Sequence, residues 1–215
     1  MNNKNLTIKE TFASAVQNHQ KNFFKIAENL YKEILKINPN HFGSIFYLGT
    51  LLVQTQRFKL AKSLLYKATQ INPNYAAAHN NLGATLKELG EYQNAINCCQ
   101  KAIKINPNYA DAHYNLGNVF KQLNEPQKAI NYYQKAIEIE PSYINAHQNL
   151  MDVCEKTNQI TELKDAVSNA RTFFKDNSII KLYEGILLSR NEKFVEAKNC
   201  LELISFGADE INKEI

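Results

Sequence analysis

Glycine and proline are scarce, 7 and 5 in 215 residues, too few for a collagen-like or low-complexity disordered chain. No apolar run approaches the roughly 20 residues that span a bilayer. The opening MNNKNLTIKE lacks the apolar core of a secretory signal. Membrane insertion is therefore not expected, and the sequence reads as cytoplasmic. Long runs of one charge are missing too. The 25 basic and 21 acidic residues are scattered singly to a net charge of +4, so a nucleic-acid groove is not expected. The four cysteines, Cys98, Cys99, Cys154 and Cys200, make no CxxC pair and no Cys/His metal spacing. They read as reduced, mostly buried thiols. No Ser/His/Asp grouping, paired carboxylate on a defined scaffold or glycine-rich phosphate loop is present, so neither catalysis nor a cofactor is expected.

What is present is self-similarity. The stretch from Ala76 to Tyr143 consists of two consecutive 34-residue blocks, AAAHNNLGATLKELGEYQNAINCCQKAIKINPNY and ADAHYNLGNVFKQLNEPQKAINYYQKAIEIEPSY. About 20 of the 34 positions are identical, a period far too long for heptads. Pro39, Pro73, Pro107 and Pro141 recur at intervals of 34. Proline lacks an N–H and disfavours helix in its predecessor, so each one stops a helix at the same phase. The frame that follows is 8–41, 42–75, 76–109, 110–143, 144–177 and a shortened repeat over 178–205, preceded by a tail over 1–7. The remaining 206–215 are expected to be a tail or part of a capping helix.

Inside a frame the apolar spacing is helical and comes in two runs, His79, Leu82, Gly83 and Leu86, then Ala95, Ile96, Cys99, Ala102 and Ile103. The break between the runs holds Gly90, with Asn22, Asn124 and Asn158 at the same phase. Gly and Asn tolerate the left-handed conformation that ends a helix. Pro126 suits the first turn of the next one. Each repeat is thus a helical hairpin. Ala15, Gly49, Gly83, Gly117 and Gly185 share one place in the first helix, and Ala27, Ala61, Ala95, Ala129 and Ala197 one place in the second. Small residues there let helix axes approach to the short end of the roughly 8–10 Å range.

This pattern resembles the tetratricopeptide repeat (TPR) family, over about residues 8–205. The resemblance implies an all-α fold, a right-handed superhelical solenoid of stacked helix–turn–helix hairpins, forming one domain whose first helices line the concave groove. The AHxNL words are similar to those in the TPR superhelix of the O-linked N-acetylglucosamine transferases. The fifth repeat departs from the pattern, with Met151 and Leu163 at the two small places and Lys175 for the closing proline. Overpacking of this kind predicts a wider fifth hairpin.

The helix face opposite the core stripe should line the groove. In the fourth repeat that face carries Tyr114, Asn115, Asn118 and Lys121; in the third, Asn80, Asn81 and Lys87; in the fifth, Gln148, Asn149 and Asp152. Asn81, Asn115 and Asn149 lie 34 apart. An amide carries both donors and an acceptor, so a row of them can hold an extended peptide backbone; equally, each Asn can bond the neighbouring hairpin. The carboxylate clamp of chaperone-binding TPR modules is not expected, since Phe46, Thr50, Asn80 and Ala84 occupy the places of its flanking bases. Lys87 and Lys121 are two stacked cations suited to an acidic ligand side chain. Toward the N-terminus, Phe12, Val16, Phe46, Tyr47 and Val53 replace polar groove residues with an apolar patch, which points to a partner's hydrophobic anchor or to self-association through the N-terminal repeats. His79, His113 and His147 also recur every 34 residues, too far apart on neighbouring helices to share a metal, and read as core.

Two functional classes fit. The first is a non-catalytic scaffold binding a peptide or protein segment in the groove. The second is the N-terminal arm of a larger glycosyltransferase or sulfotransferase, which the reading frame beyond Ile215 would reveal.

Overall fold

A computed structural model describes residues 7–191, 193 and 196–199, and its helices begin where the prolines and turn residues place them. The first helices are α1 (Ile8–Gln20), α3 (Phe42–Gln54), α5 (Ala76–Glu88), α7 (Ala110–Gln122), α9 (Ile144–Lys156) and α11 (Ser178–Arg190). The second helices are α2 (Phe24–Ile37), α4 (Phe58–Ile71), α6 (Tyr92–Ile105), α8 (Pro126–Ile139) and α10 (Ile160–Phe173). Residues 196–199 are helical as well, and no strand occurs among the described residues. The expected tail or cap over 206–215 lies outside them.

Left-handed backbone closes the first helix of the first five repeats. Asn22, Gln56, Gly90, Asn124 and Asn158 have φ of 61°, 57°, 74°, 56° and 57°, one residue in each of those repeats. The next N–H then reaches back five residues, as from Phe23 to Asn18 O at 2.9 Å and from Glu91 to Leu86 O at 2.9 Å, which satisfies carbonyls left open at the helix end. Four of these five residues are the expected Asn or Gly. Gln56 is the exception, a side chain that pays the left-handed cost without their advantage. The second helices α2, α4, α6 and α8 stop before proline-containing turns, where the Tyr75 N–H bonds Asn72 O at 3.2 Å and the Tyr109 N–H bonds Asn106 O at 3.2 Å.

The chain divides inside α7 into two compact units, Met1–Val119 and Phe120–Ile215. In the first unit α1/α2, α3/α4 and α5/α6 are hairpins, stacked through α2 on α3 and α4 on α5. A Cβ on Gly49 would stand 2.9 Å from Leu65 Cδ2, and one on Gly83 would stand 2.6 Å from Cys99 Sγ. The small residues are therefore what lets Leu65 and Cys99 bury completely, the burial of Leu65 contributing roughly 1.5–3 kcal/mol. In the second unit α8 packs on α9, α9/α10 form a hairpin, and α11 lies against both. Met151 and Leu163 are both fully buried there; the fifth hairpin takes both large side chains into its interior.

Candidate functional site

In the first unit, residues expected to face the groove form, with Thr50, one hydrogen-bonded row across three first helices. Asn115 Nδ2 on α7 donates to Asn80 Oδ1 on α5 at 2.9 Å. Asn80 Nδ2 donates to Asn81 Oδ1 at 3.3 Å, and Asn81 Nδ2 donates to Thr50 Oγ1 on α3 at 3.1 Å. The Thr50 hydroxyl in turn donates to Phe46 O at 3.0 Å. Of the two roles open to the recurrent Asn, these bonds are those to the neighbouring hairpin. They fix the planes of the amides, and the inventory of an amide leaves Asn81 and Asn115 further donor and acceptor capacity. Asn81 and Asn115 are half-buried. Asn80 corrects the expectation of a free groove-lining residue: it is only 4% exposed, held between α5 and α7 as a buried, bonded amide.

In the second unit Asn149 Oδ1 accepts from Lys121 Nζ at 3.3 Å. Lys121 also pairs with Asp152 at 2.7 Å, and Asp152 with Lys156 at 2.8 Å. Burial works against the charge on Asp152, but the bonds from Lys121 and Lys156 outweigh it and hold its carboxyl below the usual range. Lys87 pairs with Glu88 at 2.6 Å. The two cations expected to await an acidic ligand thus already have carboxylates of their own. Tyr114, Asn118 and Gln148 are half-buried.

The apolar N-terminal residues differ from expectation in exposure. Phe46 is buried, while Phe12, Val16, Tyr47 and Val53 are half-buried. Phe12 sits on Gly43, where a Cβ would be 2.5 Å from its Cζ, and meets His41 edge-on at 5.0 Å and Tyr47 at 5.8 Å. Phe46 meets Tyr47 at 5.3 Å and Tyr75 at 5.0 Å. Aromatic side chains bury large areas and favour such edge contacts, so the patch is spent largely on joining hairpins one and two. What it leaves open is a recess of about 260 Å³ lined by Val16, His19, Tyr47, Thr50 and Gln54 with parts of Gln20 and Asn22. The imidazole of His19 is fixed, Nε2 donating to Gln54 Oε1 at 2.8 Å and Nδ1 accepting from Tyr31 at 3.3 Å. Thr50 belongs both to this recess and to the amide row.

The recurrent histidines tie down the turns. Nε2 of His79, His113 and His147 donates to the carbonyl of Pro73, Pro107 and Pro141 at 2.9, 3.0 and 2.9 Å. His113 and His147 are buried, while His79 is only half-buried. Desolvation pushes the His147 pKa down, which keeps that ring neutral. The thiols of Cys98, Cys99 and Cys154 are pushed up by burial to about 11, 12 and 11, and all three are free. Such thiols are poor nucleophiles near neutrality.

Sequence reasoning missed the ion pairs between hairpins. Arg57 grips Glu28 with two bonds of 3.0 and 2.7 Å. One repeat on, the same two places hold Lys62 and Glu91 at 2.7 Å, with the signs exchanged. Only the recurrence of a 29-residue separation hints at them in the sequence.

Comparisons with known proteins agree with this architecture. Tetratricopeptide repeat models match residues 74–142 and 44–75. A crystal structure of MamA is 30% identical, covering 75% of this chain and 96% of its own, with a TM-score of 0.66. PilF of Pseudomonas aeruginosa, at 19% identity, covers 97% of both chains with a TM-score of 0.78. YrrB, a TPR protein with an unusual peptide-binding site, is 18% identical over 81% of this chain and 90% of its own, with a TM-score of 0.62. At these two identities the likeness is one of fold. No curated protein matches the sequence. No described helix is long and apolar enough to cross a membrane.

Proposed function

This chain belongs to the tetratricopeptide repeat family, and on that premise we propose that it is a non-catalytic scaffold that binds a peptide or protein segment along the faces of its first helices. One observation carries the reading: the amide row from Asn115 to Thr50 runs into the recess lined by Val16 and Tyr47. A row of fixed amides beside an apolar recess matches what an extended segment offers, backbone N–H and C=O groups with an apolar side chain projecting between them. The amides are oriented before any ligand arrives, so little ordering is needed on binding. The description of YrrB as peptide-binding is in keeping with this use of the fold. Asn149, Gln148, Tyr114 and Asn118 are proposed as further contacts; Lys87, Lys121 and Asp152 contribute only where a ligand displaces their present partners. Self-association through the aromatic N-terminal repeats is the competing use of the recess, and sedimentation at several concentrations separates the two.

The test is to pan a displayed library of random peptides on the immobilised chain. Recovered peptides should carry an apolar anchor, and Val16→Phe, which fills the recess, should weaken them while the thermal melt is unchanged. Recovery of no peptide, or of peptides indifferent to Val16→Phe, would contradict the reading.

A further inference from the structure

A second kind of cleft lies between successive second helices, with the intervening first helix as its floor. It occurs in both units at places two repeats apart. In the first unit it runs between α4 and α6 over α5, with a volume of about 390 Å³. In the second it runs between α8 and α10 over α9, with about 580 Å³. The floors correspond, His79 and Leu82 in one, His147 and Leu150 in the other.

The rims differ in charge. Gln70, Asn94 and Asn97 of the first cleft become Glu138, Glu162 and Asp165 in the second. The first cleft is also bridged by its own Lys62–Glu91 ion pair, whereas the corresponding residues in the second unit are Ile130 and Gln159. In a chain of net charge +4 this acidic rim is not a consequence of composition. Among the described residues Glu138 pairs with Lys135 at 2.7 Å, an exposed pair of the kind that contributes little. Glu162 and Asp165 have no ion pair among the described residues.

A separate observation also points to a ligand. His147 is fully buried and lines this cleft. Its Nε2 carries the proton, since it bonds a carbonyl, which leaves Nδ1 as a bare acceptor, and that atom is buried without a partner. A buried acceptor left unmet is costly and normally finds a donor. Phe173, 49% exposed, adds an apolar wall beside Ile137 and Ala166.

We propose that the α8–α10 cleft is a docking site for a basic amphipathic segment of a protein partner, with apolar side chains against Ile137, Leu150 and Phe173. Its Lys or Arg side chains meet Glu138, Glu162 and Asp165, and one N–H donor reaches His147 Nδ1. The acidic rim repels phosphate, which excludes nucleic acid and anionic lipid as occupants. This site is on different elements from the amide row and does not rest on the groove reading.

The probe is a fluorescein-labelled amphipathic helix of leucine and arginine, compared with the same peptide carrying glutamate for arginine, in anisotropy titrations of the full chain. The arginine peptide should bind saturably and the glutamate peptide should not. The triple variant Glu138→Gln, Glu162→Gln, Asp165→Asn changes exposed residues only and makes these three places uncharged, as Gln70, Asn94 and Asn97 are in the first cleft; it should weaken binding by roughly tenfold, as the loss of three exposed pairs implies. The imidazole ¹⁵N signal of His147 Nδ1 should move on titration while those of His19 stay. Unchanged affinity in the triple variant, equal binding of both peptides, no saturable binding, or an unmoved His147 signal would overturn the proposal.

Discussion

The His147 imidazole donates from Nε2 to the carbonyl of Pro141, six residues earlier, at 2.9 Å, and His113 does the same to Pro107 at 3.0 Å. The recurrence of both residue types is thus one device: proline ends the second helix and histidine on the next first helix holds the turn. His113→Leu keeps the apolar packing and removes the bond. It should lower stability in urea by about 1 kcal/mol, the usual net value of such a bond; an unchanged midpoint would show that the turn holds itself.

The exchanged signs of Glu28–Arg57 and Lys62–Glu91 oppose any slip of one hairpin into its neighbour's place, because like charges would then meet. Glu28→Arg should therefore destabilise the chain, and adding Arg57→Glu should restore most of the loss, in a double-mutant cycle followed by thermal melting. Failure of the second change to rescue the first would mean that Glu28 acts through something other than this pair.

Acid should release the same contact. The bonds from Arg57, with smaller help from Lys32 against some desolvation, bring the Glu28 pKa from 4.5 down to about 2. A carboxyl depressed on folding stabilises the native state fully above its unfolded value and loses that contribution as pH falls from about 4.5 toward about 2. Glu28→Gln should be less stable than the parent near neutrality, and the gap between them should narrow across that window. A gap independent of pH would contradict the assignment.

Gln56 occupies a left-handed position, φ 57°, that the other repeats give to Asn or Gly. Gln56→Gly should raise stability by about 1 kcal/mol, since the left-handed penalty for a residue with Cβ is roughly 1–2 kcal/mol and part is returned as unfolded-state entropy. A destabilised variant would mean that the Gln56 side chain makes a contact worth more than that strain.

Helix order and turn positions were legible because each depends on local chemistry repeated every 34 residues: proline stops at Pro73 and Pro107, left-handed Asn124 and Gly90, and small Gly83 against Cys99. The site was less legible. Periodicity places Asn80 on the groove face, but whether an amide on a helix edge meets solvent or the next helix depends on how hairpins stack, and Asn80 is buried by Asn115. Phe12 and Phe46 read as an open patch for the same reason, since Gly43 and Tyr75 cover them only after stacking. The Glu28–Arg57 pair joins residues with no shared motif. The outer cleft depends on second helices that are far apart in sequence, α8 and α10, and shows only when its residues are compared with those two repeats earlier.

The proposed function has the first helices hold an extended segment by fixed side-chain amides. The most direct measurement is a titration of the ¹⁵N-labelled chain with a peptide selected on it, following the side-chain NH₂ signals of Asn81, Asn115 and Asn149. Saturable shifts of Asn81 and Asn115 are expected together with those of Val16 and Tyr47. Saturable binding that leaves those amides unmoved would contradict that function.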